Sequence, residues 1–104
     1  MSKQEQLIGQ ATPEQIAEWK KKYGKVFGIK VDGHIAYLKK PDRKVLGYAS
    51  TAGKNDPIKF NEVVINNCFI GGSEAVKTED DLFFGASSTL TELIQVKEAE
   101  LVNL

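Results

Sequence analysis

The pair Asp32-Gly33 constrains this chain more than any other feature. It stands between two runs of β-type residues, VFGIKV (26–31) and HIAYLK (34–39). Asp-Gly tolerates the left-handed backbone of a two-residue hairpin loop, so the runs are predicted to pair antiparallel. With those two residues as the loop, Val31 faces His34, Ile29 faces Ala36, and Phe27 faces Leu38. Side chains alternate along a strand, so these six share one face, predicted to meet the core. The opposite face carries Val26, Gly28, Lys30, Ile35, Tyr37 and Lys39, a mixed set. Two strands alone are marginal in water, so helices must cover a sheet face.

Helix signals flank the hairpin. In ATPEQIAEWKKKYG, Thr12 is a predicted N-cap and Pro13 suits the first helical position. Glu14 at the start and Lys20, Lys21 and Lys22 at the end match the helix dipole, and Gly24 is the stop. Ile16, Trp19, Lys20 and Tyr23 share one helical face. After Pro41, residues 42–52 place Val45, Leu46, Ala49 and Ala52 at helical spacing, with Gly53 as stop. Asn55-Asp56-Pro57 opens a further helix running to about Asn67 or Phe69, closed by Gly71-Gly72. Thr78 and Asp81 resemble a capping box for one long last helix from Glu79 toward Leu101. Residues 1–10 are expected to form a loose turn or a mobile segment. The fold class predicted is α+β, mostly helical: one two-stranded antiparallel hairpin packed against about four helices, in a single domain over 1–104.

A chain of 104 residues, 41% hydrophobic and 27% charged, fits one globular domain. Lys+Arg and Asp+Glu both number 14. A zero net charge gives no global footprint for nucleic acid and little self-repulsion against association. One cysteine excludes an intramolecular disulfide and favours a reducing compartment. No run reaches the ~18 apolar residues of a membrane helix, and the N-terminal MSKQEQLIGQ lacks a signal-peptide core, so a cytoplasmic protein is expected.

Cys68, in INNCFIGG, is the only candidate nucleophile of its kind, and His34 the only histidine. Free cysteine is among the most buried residue types, so a packed core role is expected over a reactive one. One Cys and one His make no zinc pattern. Glu79-Asp80-Asp81 sits where acidic residues stabilise a helix start. GlyGlySer lacks the spacing of a phosphate loop. No cofactor and no catalytic residue is expected. The basic cluster Lys39, Lys40, Arg43 and Lys44 beside Tyr37 supports an alternative reading as a small nucleic-acid-binding or regulatory module. Trp19, Tyr23, Ile35, Tyr37, Phe83 and Phe84 offer more apolar surface than one small core needs, which points to a partner or oligomer interface.

The stretches AYLKKPDRKVLGYAS, DPIKFNEVVINNCFIGG and EDDLFFGASSTLTELI resemble the small tail assembly chaperones of long-tailed bacteriophages and prophages. In that family a hairpin strand leads into a YL-(K/R)-(K/R)-P-x-R segment, matched by Tyr37, Leu38, Lys39, Lys40, Pro41 and Arg43. A helix then ends in NC-(W/F)-(I/V)-GG, matched by residues 67–72. The resemblance spans Val26 to about Ile94. It implies a non-catalytic, self-associating protein that coats the tape-measure protein and helps recruit tail-tube subunits in the host cytoplasm. The residues expected to contact partners are Trp19, Tyr23, Ile35, Tyr37, Lys40, Arg43 and Phe84.

Overall fold

A computed structural model describes residues 7–94 and 99–104. At the hairpin, Asp32 and Gly33 take φ of 46° and 78°. Both central residues are left-handed, the backbone of a two-residue loop whose twist matches its strands. Strands β1 (Val26–Val31) and β2 (His34–Lys39) pair in the predicted register, Val31 with His34, Ile29 with Ala36 and Phe27 with Leu38.

The sheet has three strands, not two. Phe69–Gly72, expected to be a helix terminus with its stop, forms β3 and pairs antiparallel with β2, giving the order β1-β2-β3. Tyr37 pairs with Gly71 and Leu38 with Phe69, so Ile70 is the extra residue of a bulge. The backbones approach closely at Gly72, where φ is 106° and a Cβ would stand 2.6 Å from the Ile35 carbonyl oxygen. That position demands glycine, whose role here is pairing and not helix termination.

Helices α1 (Pro13–Tyr23), α2 (Arg43–Ala52) and α3 (Pro57–Cys68) start where their local chemistry says. Thr12, Asp42 and Asp56 each accept a hydrogen bond from a backbone N–H of the first turn. The last helical region departs from expectation. A short helix, α4 (Ala75–Thr78), precedes it, and Thr78 ends that helix instead of capping the next. The single long helix is divided into α5 (Asp80–Ser87) and α6 (Leu90–Leu93). At the break, Ser87, Ser88 and Thr89 hydroxyls donate to the carbonyls of Phe83, Gly85 and Ala86. These side chains offer the backbone a local alternative to continued helix. The expected extension to Leu101 runs through 95–98, outside the described residues; 99–104 are not helical. The described residues thus hold six helices where about four were expected. The expectation for residues 1–10 falls partly outside the described residues, but Leu7–Gln10 are anchored. Ile8 donates to Gly33 O and accepts from Ile35 N.

Ile29, Ala36 and Leu38 face the core with Ala49, Val64, Ile65, Cys68, Val76, Phe83, Ala86, Leu90 and Leu93. The opposite sheet face is covered in part: Ile35 and Tyr37 are buried, and Gly28 and Lys30 on β1 stay exposed. The chain turns back after only Gly24 and Lys25, and α1 lies across that face. The domain is three layers deep: α1, the sheet, then α2 to α6.

Candidate interaction surface

Of the seven residues expected to touch a partner, Trp19 and Tyr23 lie on α1 and Ile35 and Tyr37 on the sheet face beneath it. The Trp19 and Tyr37 rings stand 5.1 Å apart, tilted by 45°. Ile35 and Tyr37 are 8% and 5% exposed. They occupy the face that the register assigns them, but the protein's own first helix and N-terminal segment cover it. The Tyr37 hydroxyl accepts a hydrogen bond from Ala11 N at 3.0 Å, tying that segment to the sheet. Tyr23 is half-buried and holds the Lys39 ammonium 5.4 Å from its ring centroid.

Lys40 and Arg43 are exposed where β2 passes into α2. Tyr37, the aromatic of the nucleic-acid alternative, lies beneath α1 and has no face free to stack on a base. Tyr23 is half-buried beside Lys39, and Tyr48, 66% exposed, follows Lys44 by one turn of α2.

Phe84 is different: it is 51% exposed on α5. Beside it is a groove of about 180 Å3 between α3 and α5. Ile58, 46% exposed, and Phe83 complete its apolar lining, and Glu62, Asn66, Lys77 and Asp80 supply the polar part. Exposed apolar side chains set among charged ones occur in protein-binding patches. The Phe83 and Phe84 rings meet edge-on at 5.7 Å, so the buried member anchors the exposed one. Ile58 was not singled out in the sequence. Its signal was its place in the first turn of α3, off the stripe of Phe60, Val63 and Val64.

Cys68 is fully buried in the core. Burial pushes its thiol pKa up to about 11, with Asp42 adding to the rise and Lys39 opposing it. His34 does not serve it; its Nδ1 lies 2.8 Å from the Ser73 hydroxyl. Cys68 is the packed residue that its type predicts. Asp80 and Asp81 occupy the first turn of α5, the dipole role expected of the acidic cluster. Among the described residues no group of three or more His, Cys, Asp or Glu could hold a metal, and no helix is long and apolar enough to cross a membrane. No protein-family model, curated protein or solved structure matches the chain.

Proposed function

We propose that the protein is a non-catalytic tail assembly chaperone of the long-tailed phage type. It binds the tape-measure protein, protects its apolar helical surface from aggregation and helps recruit tail-tube subunits. It acts as a homo-oligomer in the bacterial host's cytoplasm. The motifs around Tyr37–Arg43 and Asn67–Gly72 motivate the reading.

The observation that carries it is the α3–α5 groove. Ile58 and Phe84 remain half-exposed there, although fifteen apolar side chains of this small domain are buried. A groove between helices that offers Ile58 and Phe84 among charged side chains suits an amphipathic helix laid into it. Co-expression with a tape-measure protein tests the function. The client stays soluble and co-purifies if the reading holds; a client that pellets equally with and without this chain refutes it.

A further inference from the structure

We infer that strand β1 is a docking edge for residues 100–104 of a second copy of this chain, added antiparallel as a fourth strand. The inference goes beyond the chaperone reading and stands without it. β1 closes one side of the sheet, and no described strand pairs with its outer edge. Ile35 directs both its N–H and its carbonyl away from β1, to Ile8 and Ser73. By the alternation of antiparallel pairing, Ala36 and its like neighbours bond to β1, which leaves the groups of Val26, Gly28 and Lys30 pointing outward. Alongside that edge runs a groove of about 350 Å3, lined by Phe27, Ile29 and Leu93 and by the polar Lys30, Thr89 and Glu92.

The occupant is identified by what this chain leaves uncovered. Leu101, Val102 and Leu104 are 99%, 63% and 112% exposed, in a segment without helix or strand. At such exposure Leu101 and Leu104 pack against none of the described residues. One antiparallel register satisfies both partners. Glu100 stands across from Lys30, Leu101 lies beside Ile29 in the groove, Val102 sits over Gly28, and Leu104 adjoins Val26. Charge is matched at Glu100 and Lys30, Leu101 meets apolar surface at Ile29, the polar Asn103 falls across from Phe27, and Val26, Gly28 and Lys30 each gain a paired backbone.

Sedimentation equilibrium over a concentration series tests this, with hydrogen exchange read at Gly28 and Lys30. Mass should rise with concentration as those two amides slow. Leu101→Asp should weaken association about tenfold or more. Lys30→Pro should also weaken it, since it removes only an outward donor of an edge strand. Lys30→Glu should weaken it and Lys30→Glu with Glu100→Lys restore it. A mass unmoved by Leu101→Asp and Lys30→Pro overturns the inference. So does a chain that stays monomeric with both amides exchanging fast. If that monomer still keeps a tape-measure client soluble, strand addition alone has failed; if association follows the variants but the client pellets, the chaperone reading alone has failed.

Discussion

The indole of Trp19 lies against Gly71, so close that a Cβ at that glycine would stand 2.5 Å from Trp19 Cζ2. This contact joins the first helix to the last strand of the sheet, which are almost fifty residues apart. Because α1 has no fully buried residue, Trp19 is its main anchor. The glycines of the NCFIGG motif therefore have two tasks. Gly71 makes room for a ring above the sheet, and Gly72 lets β3 approach β2.

Gly71→Ala is expected to cost about 1–3 kcal/mol, the range for overpacking a close contact. The clash is with a side chain, so the structure can relieve it by loosening α1. Trp19 emission should shift red at denaturant concentrations below the main circular-dichroism transition. The double variant Trp19→Ala, Gly71→Ala should be less destabilised than the sum of the singles, because the methyl then meets no ring. Gly72→Ala should cost more than Gly71→Ala. It combines a φ of 106° with contacts to the Ile35 carbonyl and the Ala36 Cα, which are backbone.

Cys68 makes stability depend on alkaline pH. Its pKa rises from 9.0 to about 11 on folding, so the folded state favours the neutral thiol. That contribution is complete below pH 9 and is lost as pH climbs through 9 to 11, where the unfolded chain ionises first. Wild type should lose roughly 2 kcal/mol more than Cys68→Ala over that window. Urea midpoints at each pH measure the difference. At neutral pH Cys68→Ala is the less stable of the two through its lost packing, so the gap between them narrows as pH rises through the window.

Where a residue's neighbours in sequence decide its structure, the fold was legible. Asp32-Gly33 set the hairpin register, and Thr12, Asp42 and Asp56 marked three helix starts from local hydrogen-bonding chemistry. β3 was not legible. Four residues with two glycines have no strand pattern of their own, and their conformation comes from pairing with β2, thirty residues upstream. The break after α5 was visible as Ser87-Ser88-Thr89, yet the apolar period runs straight through it. Hydrophobic spacing reports which side faces the core, and hydroxyl competition for carbonyls decides whether the helix continues. The same division holds for the candidate surface. Phe84 was identifiable because its neighbour Phe83 takes the inward direction. Ile35 and Tyr37 were assigned to the correct face, but their cover by α1 depends on the tight turn at Gly24 and Lys25. Ile58 gained its importance only when α5 packed beside α3.

Tyr37→Phe isolates the tie between sheet and N-terminal segment. It removes the hydroxyl that accepts from Ala11 and keeps the ring against Trp19. The global cost should be about 1 kcal/mol, the usual net worth of one such bond. Amide exchange at Ala11 should accelerate well before exchange in β2 does. Equal acceleration in both would mean that the segment and the sheet open as one unit.

On the proposed chaperone function, variants in the α3–α5 groove should separate client binding from stability. Ile58→Ser and Phe84→Ser alter side chains that are about half solvated, so each should shift unfolding free energy by no more than about 1 kcal/mol. Both should weaken client binding about tenfold or more, as expected when an apolar anchor leaves the centre of an interface. Ile35→Ser supplies the contrast. It places a hydroxyl on the buried face beneath α1 and should lower stability by several times as much. Thermal unfolding followed by a soluble-client titration resolves the two effects. Full client retention by the stable Ile58→Ser, Phe84→Ser double variant would place the grip on another face of the protein.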